Sequence, residues 1–408
     1  MPTSTHPSLS DDLARVEHEL RTSLLELAAS AKADPTKPQK LSRDLRLNRG
    51  LAWKMARIVQ GKERGDFIHH VPGSAGIEIL LDTMRRGGAS PESTERARAA
   101  FEEFHRVMVL HAGDRHTLEV MASQLSGRPV DSSRLIDQRR LAFQGNCGIL
   151  GVRARTQASI HIAAPNAEDP TWLDMLRFSG YVDLARVRHG VRWLLFRQLA
   201  YHDDGTARSM HLEPIDQEFA KETGVPLVRP FCSPNLPALE RTIEGSDICV
   251  DLPPGPVGNT ANMTCFLGTY SRRAARAHRD ARDTRAELAM SNRTPAEQLV
   301  FDVYLHERLA KQMPFEMGVY SMMDGRPLGH DNERQRNRLP TTESIRALGS
   351  GIDGVHTPHV ENYAEILQYL FRRGGWNPSE FVGYRVELEF PPIPSAVIFS
   401  APLPSAPA

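Results

Sequence analysis

The spacing of apolar residues changes period along this chain, and that change limits it to a two-part architecture. Up to about residue 125 apolar positions recur every three or four residues, as in amphipathic helices. Leu13, Val16, Leu20, Leu24, Leu25 and Leu27 form the first such stripe, behind Ser8 or Ser10 as N-cap, in a helix expected to reach about residue 33. Further helices are expected at 38–46, 49–60, 74–84, 90–112 and 115–125, with a short extended piece at 67–72. Beyond about residue 148 short β-branched and aromatic runs take over, among them ILGVRARTQASIHIAAP, GYVDLARVRHGVRWLLFRQLAYHD, DICVDLP, TANMTCFLGTY, LVFDVYLH, FEMGVYSMM, YRVELEF and SAVIFSAPL. Helices are expected between them at 132–143, 170–177, 217–223, 237–244, 271–289 and 359–373. Regular βαβ alternation is missing, so the expected class is α+β with a mixed or largely antiparallel sheet, not a doubly wound fold. Ser126-Gly127-Arg128-Pro129 reads as a linker or corner, and Asp203-Asp204-Gly205 and Asp324-Gly325 read as turns. The expected division is a helical unit at 1–66, a helical connection at 67–130, an α+β domain at 131–402 and a disordered tail at 403–408.

A chain of 408 residues has room for two or three domains. Its 50 basic and 50 acidic side chains cancel, which excludes a protein that coats nucleic acid along its whole surface. No run of 18 apolar residues occurs and the N-terminal stretch has no basic-then-apolar leader, so neither a membrane span nor a secretory signal is expected. Cys147, Cys232, Cys249 and Cys265 are dispersed with no C-x-x-C pair, which excludes a zinc ribbon or thioredoxin-like motif and fits a reducing cytoplasm.

Residues 36–65 depart from this balance: nine Lys or Arg and two acids give a local net charge of +7. Pro38 is tolerated in a first turn, and Leu41 and Leu45 share a helix face. Arg46-Leu47-Asn48 forms a turn with Asn48 as N-cap of the next helix, which Gly61 ends. On that helix Leu51, Ala52, Met55, Ile58 and Val59 fall on one arc, while Arg49, Gly50, Trp53, Lys54 and Arg57 fall on the other. Small Ala52 lets two helices approach closely. A basic face of this kind neutralises phosphates and releases counterions.

The run LSRDLRLNRGLAWKMARIV resembles the helix-turn-helix of bacterial DNA-binding proteins, with Leu41, Leu45, Leu47, Ala52 and Met55 at its apolar places and Asn48 at its capping place. The resemblance covers about 25 of 408 residues. It departs at the turn, where Arg46 stands in place of the frequent Gly and has to accept a left-handed backbone. It implies that Asn48, Arg49, Trp53, Lys54 and Arg57 face the major groove or its flanking phosphates, and that Arg43 touches the DNA backbone. It implies a transcriptional regulator that binds double-stranded DNA as a homodimer, with the larger domain sensing a ligand or pairing subunits. The same residues also fit an amphipathic hairpin with a solvated basic face. On that reading the N-terminal part is a protein-interaction module and the remainder an assembly component.

Other candidate chemistry is sparse. Residues 270–285, YSRRAARAHRDARDTR, read as a charged helix with i,i+3 and i,i+4 ion pairs or as a phosphate-binding face. Gly73-Ser74-Ala75-Gly76 is a helix-opening turn without the Lys of a P-loop. His356 and His359 with Glu361 have the composition of a metal site, but Pro358 breaks the helix that would bring the rings together. His69 and His70, on an extended piece, would point apart. His211, Glu213, Asp216 and Cys232 supply the parts of a Cys–His–acid site and would be the nucleus of an enzyme of unknown reaction. Val191 to Phe196, with Tyr181 and Tyr201, has the residue types of a ligand pocket or a core strand, and Trp376 and Phe381 those of a packing anchor. G-x-S-x-G, H-E-x-x-H and a post-strand G-x-G-x-x-G do not occur, so no catalytic residue, metal or cofactor is assigned.

Overall fold

The computed structural model describes residues 8–61, 65–125, 132–197, 202, 211–244, 247–323 and 335–406. The chain divides into two compact units, Met1–Pro129 and Val130–Ala408. The corner expected at 126–129 and the turns at 203–205 and 324–325 lie outside the described residues.

The first unit is helical: α1 (Leu9–Ser30), α2 (Pro38–Leu45), α3 (Arg49–Gln60), α4 (Ser74–Arg86), α5 (Pro91–His111) and α6 (Arg115–Leu125). Capping side chains set several of the starts: Ser8 accepts from Asp11 N–H, Ser90 from Ser93 N–H, and Asp114 from Thr117 N–H. Leu13, Val16, Leu20, Leu24 and Leu27 of α1 are buried, but Leu25 is 45% exposed, because adjacent helical residues lie 100° apart. α1 stops at Ser30, before a left-handed Lys32 (φ 52°), not at 33 as expected. The piece expected to be extended at 67–72 is instead a 3₁₀ turn, Asp66–His70. Phe67 and Ile68 are both fully buried, whereas a strand would send neighbours to opposite faces. One core joins Leu13 to Ala122, drawing on residues from both sides of position 66. Buried Asp12 is held by Arg15 at 2.8 Å and His111 at 2.9 Å.

The second unit begins with α7 (Ser132–Leu150). It runs past the expected end at 143, through Gly145 and Gly148, and stops where Gly151 turns left-handed (φ 75°). The strands are β1 (Val152–Pro165), β2 (Trp172–Arg186), β3 (Trp193–Arg197), β4 (Glu213–Pro214), β5 (Glu240–Glu244), β6 (Asp247–Leu252), β7 (Met263–Arg276), β8 (Arg285–Asn292), β9 (Ala296–His306), β10 (Glu316–Ser321), β11 (Arg346–Ser350), β12 (Phe381–Glu389) and β13 (Ser395–Pro402). Helices α8 (Gln217–Thr223), α9 (Glu307–Ala310) and α10 (Tyr363–Gly374) lie among them. The main sheet has the order β11-β12-β9-β1-β2-β7-β4, and within it only β1 and β9 pair in parallel. Two three-stranded sheets, β10-β13-β8 and β3-β6-β5, complete an α+β unit.

Three expected helices are strands. Of residues 170–177, all from Trp172 on belong to β2, where alternation decides: Leu173 and Met175 enter one core, Leu176 and Phe178 the opposite one. Residues 271–289 are split between β7 and β8, and Ala274 and Ala277 are buried while Arg272 and Arg273 are exposed. Part of 237–244 is β5, which pairs Thr242 with Cys249 of β6. The main sheet is covered on one face by α10 and on the other by the β10-β13-β8 sheet, so β1 and β9 are buried on both sides. Trp376 and Phe381 pack at 5.7 Å between ring centroids, the anchor expected between α10 and β12.

Candidate nucleic-acid interface

α2 and α3 are joined by a turn whose geometry is local. Arg46 adopts the left-handed region (φ 55°, ψ 30°), so a non-glycine residue takes the strained position. Ser42 Oγ donates to Leu47 C=O at 2.7 Å and closes the turn. Asn48 Oδ1 then accepts from Gly50 N–H at 2.8 Å and Leu51 N–H at 3.4 Å, filling orphan donors of the new helix. Leu41, Leu47, Ala52, Met55 and Ile58 are buried, and so is Ala56, which the sequence reading left off the inner face. Leu51 and Val59 are half-buried at its edges.

Neighbouring elements fix the hairpin in place. α4 approaches closely: a Cβ on Gly76 would sit 3.3 Å from Leu51 Cδ2, and one on Gly87 would sit 2.6 Å from Leu45 Cδ2. At the far end of α3, Arg21 of α1 donates from Nε to Ile58 C=O at 3.0 Å and from Nη2 to Gly61 C=O, while Glu17 holds the same guanidinium at 2.6 Å. A cation on C-terminal carbonyls complements the helix dipole. Sequence reasoning missed Arg21, because its partners lie 37 and 40 residues away and nothing local marks it. Arg21→Ala is expected to cost about 1–3 kcal/mol by leaving part-buried carbonyls without a donor. Urea unfolding measures the loss, and faster amide exchange confined to the last turn of α3 identifies its origin.

The outer face carries the residues singled out from sequence. Arg43, Asn48, Arg49, Trp53 and Arg57 are exposed and Lys54 is half-exposed. The structure brings Arg49, Trp53, Lys54 and Arg57 onto one side of α3, while Arg43 stands on α2 with Asp44 3.6 Å away. Arg57 lies over the Trp53 ring at 5.3 Å, a cation–π contact. His70 meets that ring edge-on, at 5.2 Å and 88°, so the indole is braced from the 3₁₀ turn although it is 47% exposed. Burial pulls the His70 imidazole below its ordinary range against the pull of Asp66, and Arg57 adds to the lowering. No acidic residue stands in the first turn of α3. A positive helix end carrying Arg49 is relieved by an external anion.

Several of the other candidate groups are engaged elsewhere. Cys232 Sγ is bonded to Val228 C=O at 3.4 Å and Phe266 N–H at 3.3 Å, and burial pushes its thiol up to about 11, opposite to the activation a nucleophile needs. Asp216 caps α8, and the His211 carbonyl accepts from Ser271 Oγ at 2.8 Å. His356 Nδ1 faces Gly354 C=O at 2.9 Å. His69 meets Glu119 at 3.0 Å and His70 meets Asp66 at 3.7 Å, so the two rings serve separate partners. Trp193 bonds Thr294 Oγ1 at 2.9 Å and packs with Leu195 and Tyr181 in a core cluster. Among the described residues no group of three or more His, Cys, Asp or Glu is placed to hold a metal ion, and no helix is long and apolar enough to cross a membrane. Compared with known proteins, the chain matches no family model, no curated protein and no solved structure.

Proposed function

We propose that this protein is a cytoplasmic transcriptional regulator that docks α3 in the major groove of double-stranded DNA. The observation that carries the reading is the outer face of α3, where Arg49, Trp53, Lys54 and Arg57 stand together on a helix whose opposite face is packed into the core. Arg49, Lys54 and Arg57 neutralise phosphates or read base edges, Asn48 and the first amides of α3 meet the sugar–phosphate backbone, and Arg43 contacts it from α2. The second unit senses a ligand, pairs subunits, or does both.

A homodimer suits this reading, because one short helix supplies little affinity and two-fold pairing doubles the contact. α7 offers a self-complementary face. Leu141 (64% exposed) and Ile149 (69% exposed) flank exposed Ala142, Gly145 and Gly148 on one stripe. Two antiparallel copies crossing at Gly145 place each Leu141 against the other copy's Ile149. The test is selection of bound duplexes from a random-sequence pool by the full chain. Enrichment of an inverted repeat, with half-sites about one helical turn apart, is the expected result. Recovery of the input pool unchanged would reject the reading.

A further inference from the structure

Three arginines are buried among the described residues: Arg139, Arg186 and Arg385. Two of them have a carboxylate. Arg139 meets Glu343 at 2.6 Å, and Arg385 makes a two-pronged pair with Asp302 at 2.7 Å on each prong. Arg186, 1% exposed, has none among the described residues. Its Nη2 donates to Pro253 C=O, and its Nε and Nη1 are buried with no hydrogen-bond partner. A guanidinium does not shed its charge in a protein, and an uncompensated buried charge is strongly unfavourable. The described residues thus include a buried cation and supply no anion for it.

The surroundings hold the guanidinium in place under a thin cover. Arg186 is the last residue of β2, paired with Val152 of β1, and its carbonyl accepts from Gly258 N–H at 2.9 Å, so its backbone is fixed. Residues 253–258, Pro-Pro-Gly-Pro-Val-Gly, lie across the guanidinium. A Cβ on Gly255 would sit 3.1 Å from Nη1 and 3.2 Å from Cζ, so only glycine lies this close without displacement. Pro254, Pro256 and Gly258 face solvent, which leaves the covering loop one layer thick. A second cation, Arg153, donates to Oδ1 of Asn259, the residue that follows this loop, at 2.7 Å.

We propose that Arg186 is the recognition group of an anion site, closed by residues 253–258, that takes a small organic monocarboxylate. One guanidinium balances one negative charge, which favours a carboxylate over a phosphate dianion. Moving the Pro253 carbonyl off Nη2 frees the Nε–Nη2 edge, whose two parallel donors match a carboxylate, as the Arg385–Asp302 pair does within the same unit. Burial depresses the Arg186 guanidinium from its ordinary range, as expected for a charge that lacks its counter-ion.

The test is thermal unfolding of the full chain in sodium acetate, sodium benzoate and inorganic phosphate, each against sodium chloride of equal ionic strength, with Arg186→Met and Arg186→Gln beside the wild type. At about ten times its Kd a carboxylate is expected to raise the wild-type Tm by roughly 2–4 °C. Neither variant is expected to respond, and Arg186→Met without added carboxylate is expected to melt no lower than the wild type. Absence of a carboxylate shift in the wild type, with Arg186→Met melting several degrees lower, would overturn the proposal by marking Arg186 as an ordinary structural group. A shift with phosphate alone would overturn the choice of ligand. Where a variant does not fold, titration of the wild type with acetate, followed by the arginine Nε–H resonances, decides the matter: one buried signal moves, or none does.

Discussion

Asp302→Ala is expected to remove about 3–5 kcal/mol from the stability of the second unit. Asp302 is fully buried on β9 and Arg385 is 1% exposed on β12, paired across the strands by register. The carboxylate also accepts from the Tyr363 hydroxyl of α10, and Arg385 Nη1 donates to His356 C=O at 2.8 Å, so one ion pair ties the sheet, the covering helix and a loop together. Deleting the acid leaves a guanidinium in the core with one backbone acceptor and only the more distant Glu387 carboxylate, 3.8 Å from Nη1, to offset its charge. Replacing both partners is a different experiment: Asp302→Leu with Arg385→Met removes both charges at once and is expected to recover most of the loss. Urea unfolding followed by tryptophan fluorescence measures both, since three of the four tryptophans lie in this unit. A single variant no less stable than the double one would mean that the pair is not what joins these elements.

The parts of the fold written in local chemistry were legible. α2, its turn and α3 follow from Pro38, Asn48 and a 3.6-residue period, and their bounds agree with the structure to within a residue. The parts decided by distant pairing were not. Residues 271–289 have the Arg and Ala content of a good helix, but their first half is zipped to β2, with Leu173 opposite Ala275 about a hundred residues away. Gly145 and Gly148 look like breakers, yet α7 continues through both to Leu150. The candidate site shows the same split. Its exposed cations were readable from helical geometry, whereas the groups that hold them in place, Arg21 and His70, act across tertiary contacts. Arg186 and the Asp302–Arg385 pair are single charges in apolar strand runs, which sequence alone does not separate from solvent-facing ones.

Arg49→Ala/Lys54→Ala/Arg57→Ala is expected to weaken DNA binding by on the order of 10²–10³-fold near 0.1 M salt. Each phosphate contact contributes a factor of about 8 at that ionic strength through counterion release, and the three cations share one face. The fold is expected to persist, since Arg49 and Arg57 are exposed, Lys54 is half-exposed, and the buried side of α3 is untouched. Circular dichroism checks the fold and competition with unlabelled duplex checks the affinity.

Contact between α3 and DNA phosphates is tested by fluorescence anisotropy of a labelled duplex across a salt series, wild type beside this triple variant. Wild-type affinity is expected to fall steeply with salt, and the log–log slope in the variant to be shallower by about 2.7, which is three contacts at about 0.9 each. Equal slopes for the two proteins, or no binding by folded wild type at low salt, would contradict it.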